Sequence, residues 1–262
     1  MIIDLHNHTI NSFDAFTSSK ELLSACKKKQ IDAIAITEHD KFSNLDKLLF
    51  ANHGIELING CEYTTSEGAH IIGLFIDSKN VSFKDPQIII NHVKSQGGIL
   101  VMPHPFKPGS GFLSTYGETE LIKEFDFIEI LNGGYIRPEN DKNIINLSNK
   151  FNLRMISSSD SHKGNQVGLC VTEIKGFESF KVGDAKSILD SVQQVQISNL
   201  YDKSLLKKSA RKANSIQQLL IYQLIINIIP YSIRRLIKVI KYKNSSDGES
   251  KLPNYVKYIN DL

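Results

Sequence analysis

The chain opens on Asp4-Leu5-His6-Asn7-His8, which places two imidazoles at i and i+2. Alternate side chains of a strand point to the same face, so His6 and His8 can grip one metal ion together. Asp14 follows six residues on, and then come Glu38-His39-Asp40, Glu62, His70, His104 and Asp160-Ser161-His162. Imidazole nitrogen and carboxylate oxygen are transition-metal donors, and a mixed set suits Zn, Mn or Fe better than Ca or Mg. These groups stand at the ends of apolar runs. The pattern is that of an enzyme gathering several metals in one cleft.

The elements that must position them alternate in type. Ile2–His6 reads as a short strand, and Ser18 to Glu21 spells a capping box opening a helix to about Gln30. Asp32–Thr37 is a second strand, and Ser43 can cap a helix that ends before Gly54. Ile55–Asn59 and His70–Ile76 read as strands, Asp85-Pro86 opens a helix that stops at Gly97-Gly98, and Ile99–Met102 is the next strand. After a loop over 103–117, a short helix is expected at Glu118–Glu124, a strand at Asp126–Leu131 and a helix at Glu139–Asn149. Strands at Leu153–Ser157 and Gly168–Ile174 and a last helix at Asp184–Gln193 complete the body. Such alternation indicates parallel βαβ units, and about seven of them fit a closed, irregular barrel better than an open sheet. In such a barrel the loops after the strands build the active site. His6/His8, His39, Glu62, His104 and Asp160/His162 fall at or just beyond strand C-terminal ends.

The totals bound the class. With 262 residues and 41% apolar content, the chain can hold one large domain or one domain plus an extension. Cys26, Cys61 and Cys170 are widely spaced, which argues for a reducing, cytoplasmic compartment, with Cys61 a small buried hydrophobe. A ligand motif this near Met1 leaves no room for a secretory leader. The net charge of +3 divides into −5 over residues 1–199 and +8 over residues 200–262. That asymmetry marks a body at 1–200 and a basic extension at 201–262.

DLHNH with Asp14, AITEHD, GCEYTTSEGAHIIGL, VMPHPF, FIEILNGG and SSSDSH followed by GNQVGLCVTEI occur in one order over roughly residues 1–175. In these motifs the chain resembles the PHP family, the polymerase-and-histidinol-phosphatase phosphoesterases. The resemblance implies a distorted (β/α)7 barrel with two or three divalent metals; the C-terminal extension, which the resemblance does not cover, reads as helical from its own pattern. Carried over position by position, His6, His8, Glu62 and Asp160 should hold the first metal. Glu62 should bridge to a second held by His70 and His104, with His70 alternatively supporting a ligand. Asp14, His39 and His162 should hold a third. Paired metals clamp the attacking and leaving oxygens of a displacement at phosphorus, and a bound water acidifies toward ~7. The expected enzyme is therefore a metal-dependent phosphoric ester hydrolase.

Two departures stand out. Motif two carries Glu38 where the family usually has Asp, so its support of a ligand His should differ. Lys107 stands where an Arg is usual after His-Pro, which keeps a point charge for phosphate and loses the bidentate fork. Arg137 is the other candidate phosphate contact, and Asp40 is a catalytic candidate as orienter or proton shuttle. His53 and His92 read as surface or structural histidines. In the compact spacing from Glu62 to His70 and in its EILNGG segment the chain is most similar to the family's nucleotide- and oligonucleotide-acting group, and the resemblance leans toward such a substrate. Histidinol phosphate and phosphotyrosine are the alternatives, beside C–N or C–O bond hydrolysis.

Residues 203–243 carry a basic stretch, an apolar run broken at Pro230, and an amphipathic segment with Arg234, Arg235, Lys238 and Lys241 on one face. They are expected to pack on the barrel or self-associate, to lie on a membrane surface as a peripheral anchor, or to bind a partner or nucleic-acid backbone. A tail-recruited metal-binding module without hydrolase activity is the rival from another class.

Overall fold

Local signals set most element ends. The Ser18 hydroxyl accepts the Glu21 N–H, and the Glu21 carboxylate accepts the Ser18 N–H at 2.8 Å, so the capping box opens helix α1 (Ser19–Lys29). Helix α2 (Lys47–Ala51) starts later than expected: Asp46 caps it, accepting the Leu48 N–H at 2.9 Å, while Ser43 accepts from Asn11. Asp85 caps α3 (Pro86–Ser95), with Pro at the first helical position. Helices α4 (Phe112–Tyr116), α5 (Asp141–Phe151) and α6 (Ala185–Ser191) follow, and Glu120–Glu124 is a 3₁₀ turn. The computed structural model describes residues 1–77, 84–177 and 179–202 and the backbone of 255–257.

The strands are β1 (Ile2–Asp4), β2 (Ala33–His39), β3 (Glu56–Thr64), β4 (His70–Leu74), β5 (Ile99–Met102), β6 (Phe127–Asn132), β7 (Arg154–Ser158), β8 (Cys170–Ile174), β9 (Ile197–Asp202) and β10 (Tyr255–Lys257). They form one nearly closed sheet in the order β10-β9-β8-β1-β2-β3-β4-β5-β6-β7. The fold is a mixed α/β barrel of the expected distorted kind. Its distortion lies in direction. β1, β2 and β3 are parallel, as are β5, β6 and β7, but β4 runs antiparallel to both its neighbours and β8 antiparallel to β1. The expectation of uniformly parallel units is corrected at β3–β4, because Thr65 to Ala69 is a tight turn that only an antiparallel pair can use. β9, which the sequence reading left out, runs antiparallel to β8. The expected helical extension and its partner surfaces at 203–243 lie outside the described residues. Among the described residues, no helix is long and apolar enough to cross a membrane.

Hydroxyl groups help to close the ring between β7 and β8. Thr172 accepts the Ser157 N–H at 2.9 Å and donates to the Ser157 carbonyl at 3.0 Å. Ser159 donates to the Cys170 carbonyl at 3.0 Å. Buried Asp4 accepts the N–H groups of Ser159 and Gly168, both at 3.0 Å, and so ties the end of β1 to the loops beyond β7.

Ile3, Ala33, Ala35, Ile58, Ile72, Leu74, Ile99, Val101, Phe127 and Ile156 share one buried apolar cluster. Strand parity carries that face upward. Counting by twos from Ala35, Ile58, Ile72, Phe127 and Ile156 reaches His39, Glu62, His70, Glu129 and Asp160. The barrel is thus apolar below and polar at one end. On the outside, α3 lies against β4 at Gly73, where a Cβ would stand 2.5 Å from Val93 Cγ2. Gly73→Ala should therefore lower stability by about 1–3 kcal/mol in urea denaturation, because both faces of the strand are packed.

Candidate metal centre

Strand ends and the turns beyond them deliver the donors. His39 ends β2, Glu62 lies near the end of β3, and His104 and Asp160 sit two residues past β5 and β7. His70 begins its strand, and the reversed direction of β4 is what brings it to the same rim. His104 and Asp160 hold left-handed backbone angles, φ +29° and +46°, uncommon for side chains of this kind and found where a site demands them.

The first expected set converges. His6 Nε2 and His8 Nε2 are 3.2 Å apart, and each is 3.4 Å from Asp160 Oδ1. Each is also 3.4 Å from a Glu62 oxygen, Oε1 for His6 and Oε2 for His8. Ligands about 2.0–2.1 Å from a tetrahedral ion lie roughly 3.3–3.4 Å from one another, and His6 and His8 stand at about that spacing from one shared Asp160 oxygen and each from its own Glu62 oxygen. Around Glu62, His70 Nδ1 stands at 2.7 Å and His104 Nε2 at 3.2 Å from Oε1. Around Asp14, His162 Nε2 stands at 3.1 Å and His39 Nε2 at 3.6 Å. His39 also turns Nδ1 to Glu62 Oε2 at 3.0 Å, so it stands between the second and third sets. Asp14 Oδ1 is buried without a hydrogen-bond donor, as an oxygen meant for a cation would be.

The electrostatics favour positive charge. Burial works against protonating His6, yet Asp160, Glu62 and Glu129 raise its pKa well above the ordinary range. His39 rises to about 10, burial being outweighed by Glu62 and Asp14. Burial and the charge of His162 push His8 down to about 3. Burial raises Glu62 and Asp160, and the surrounding imidazoles more than reverse it. A cation in this cluster would replace protons that the carboxylates already attract.

Outer partners set the tautomers. Ser12 donates to Glu38, so its oxygen is left to accept from His8 Nδ1 at 3.3 Å and from the His39 N–H at 3.2 Å. Glu38 thus supports His8 through a hydroxyl rather than directly. His162 Nδ1 donates to the Asp160 carbonyl at 3.0 Å, and His6 Nδ1 to Glu129 at 3.0 Å. All three rings therefore aim Nε2 inward.

Not every candidate joins the cluster. Asp40 accepts the Thr64 N–H at 2.9 Å and a Lys84 ion pair at 3.1 Å, and these occupy both its oxygens outside the donor set. Its reading as orienter or proton shuttle therefore has no side-chain contact with the donors in this structure; its backbone N–H donates to the Glu62 carbonyl at 2.9 Å. Lys107 reaches Asp160 Oδ2 at 3.5 Å, whereas Arg137 is half exposed over the Tyr135 ring, beside a small cavity lined also by His104 and Glu129. Cys61 packs in the core. Ser12, Glu129 and Asn132 received no role from the sequence, although strand parity with Phe127 already aims Glu129 at the site.

The PHP domain profile matches residues 4–242. MJ1587 of Methanocaldococcus jannaschii is 32% identical over 144 residues, 50% of this chain and 82% of that protein. A solved two-domain protein from Bacteroides vulgatus, described as containing a predicted PHP-like metal-dependent phosphoesterase, superposes with a TM-score of 0.59 at 22% identity over 79% of this chain and 68% of its own. The lesion-specific endonuclease Q of Pyrococcus furiosus superposes with a TM-score of 0.51 at 14% identity, over 74% of this chain and 57% of its own. Zn²⁺ or Mn²⁺ at about 100 times its Kd should stabilise metal-stripped protein by about 2.7 kcal/mol, read as a rise in Tm. His6→Ala should remove most of that rise.

Proposed function

The chain belongs to the PHP domain family, and we propose that it is a metal-dependent phosphoesterase acting on nucleotides or short oligonucleotides. The observation that carries this reading is the convergence of His6 and His8 on Glu62 and Asp160, with Glu62 shared toward His70 and His104. His6, His8, Glu62 and Asp160 would hold one metal, Glu62 with His70 and His104 a second, and Asp14, His39 and His162 a third. When bound, such ions polarise a phosphoryl oxygen and acidify water at neutral pH.

The chain's own residues do the rest. Burial lowers the pKa of Lys107, but Asp160 and Glu62 outweigh it, so the ammonium stays charged at the rim. There it binds a phosphoryl oxygen as a point charge. Arg137, on the turn after β6 and beside the small cavity at His104, would bind a second phosphate and suits a substrate with more than one. The buried walls around His6, His8 and Glu62 keep bulk water from the donors and strengthen every charge interaction there. The lean toward nucleic-acid chemistry is supported by the compact Glu62–His70 hairpin and by the fold shared with endonuclease Q, solved with a duplex bearing an abasic lesion at its active site. Three free, buried thiols fit a reducing compartment.

The test is phosphate release, with nucleotide release also followed for the RNA, by the Mn-loaded chain from nucleoside monophosphates, a 3′,5′-bisphosphate, a 5′-phosphorylated short RNA, histidinol phosphate and a phosphotyrosine peptide. Turnover of a nucleotide or the RNA is expected, falling at least ~100-fold in His8→Ala. Release from histidinol phosphate or phosphotyrosine alone would move the substrate class, and silence with metals bound would sink the reading. Lys107→Ala should lower kcat/KM by about 10–100-fold, the worth of one charged hydrogen bond.

A further inference from the structure

We infer that Glu129 is the positioning residue of the centre, a single carboxylate that selects the inward nitrogen of His6 and holds His104 and Asp160 in register with it. The inference rests on the metal-dependent reading above.

Glu129 is buried on β6, and both its oxygens are spoken for. Oε1 accepts from His6 Nδ1 at 3.0 Å. Oε2 accepts the backbone N–H of His104 at 2.8 Å and the side-chain amide of Asn132 at 2.7 Å. The last contact depends on an irregularity. Residues three apart on a regular strand face opposite ways. In β6 the pairing with β7 runs Glu129 to Ile156 and then Leu131 to Ser157, so Ile130 is an extra residue. The bulge turns Asn132 to the side of Glu129.

Asn132 passes the constraint on. Its Oδ1 accepts the N–H groups of Gly134 at 2.9 Å and Tyr135 at 2.8 Å, which fixes the Gly133-Gly134 turn. That turn lies against Asp160, where a Cβ on Gly134 would stand 2.6 Å from Oδ2. Three donors from three strand ends, beyond β1, β5 and β7, therefore take their positions from one carboxylate.

A carboxylate offers acceptors on both sides, and an amide cannot. In Glu129→Gln, an oxygen turned to His104 and Asn132 leaves the NH₂ facing His6 Nδ1. His6 must then accept there and carry its proton on Nε2, the atom aimed at Glu62 and Asp160. The opposite flip sets the NH₂ against two donors. Either way the donor set loses its arrangement, with no change in the residues that form it.

The experiment is calorimetric titration of Zn²⁺ into metal-stripped full-length chain, with ¹⁵N spectra of the histidine rings of the Zn-loaded form. Wild type should show His6 bound through Nε2 with its proton on Nδ1. Glu129→Gln should bind Zn²⁺ about 10–100-fold more weakly and lose the Nε2-bound signature of His6. Glu129→Asp, which keeps two acceptors on a shorter arm, should retain the Nδ1 proton. Unchanged affinity and an unchanged His6 signature in Glu129→Gln would overturn the inference. Should that variant fail to fold, Asn132→Leu carries the test: affinity at least several-fold below wild type supports the brace, and wild-type affinity overturns it. Folded wild type that binds no Zn²⁺ or Mn²⁺ would instead sink the metal reading, a distinct failure.

Discussion

One buried carboxylate faces five histidines, and the architecture follows from keeping it there. Glu62 lies within 3.4 Å of ring nitrogens of His6, His8, His39, His70 and His104. A lone ionised carboxylate at this depth would be far too costly, so it exists only if opposite charge converges on it from several sides. The sheet meets that demand by curling until five separate strands or their loops reach one point. The apolar interior below excludes water and prevents the charges from being screened away. The same convergence that makes the carboxylate tolerable produces a cation site.

The donor residues were legible because ligand chemistry restricts residue type and strand geometry restricts spacing. His-x-His at the first strand and Asp-x-His at the seventh need no tertiary knowledge to be noticed. The run of β3 into β4 was harder: GCEYTTSEGAHIIGL carries strand signals on both sides, and direction is not written in periodicity. That missed reversal is why His70, at the start of its strand, fell outside the rule that placed the other donors. β9 was missed because its residues, ISNLYD, alternate weakly and begin in a polar stretch. Hydroxyl bonds between β7 and β8 depend on Thr172 and Ser159, residue types that read as neutral in any one-dimensional scan.

Supporting residues were the least legible part of the site. Glu38 could be seen as a departure, yet its route through Ser12 to His8 depends on a loop doubling back over β2. Asp40 stands beside a ligand in sequence and turns to Lys84 in space, because its left-handed backbone, φ +50°, swings the chain out of the strand. Adjacency along a chain predicts shared function poorly wherever the backbone changes hand. Glu129 makes the complementary point, since it shares no motif neighbour with His6 and lies 123 residues away.

The donors are strewn from His6 to His162, and none of the sets is complete within one supersecondary unit. During synthesis the first histidines therefore emerge long before Asp160 exists to meet them. A partly made chain offers loose imidazoles of little selectivity, while the finished ring brings His6, His8, Glu62 and Asp160 together. A cation that needs both His6 and Asp160 could then be held only after the two ends of the ring have found each other.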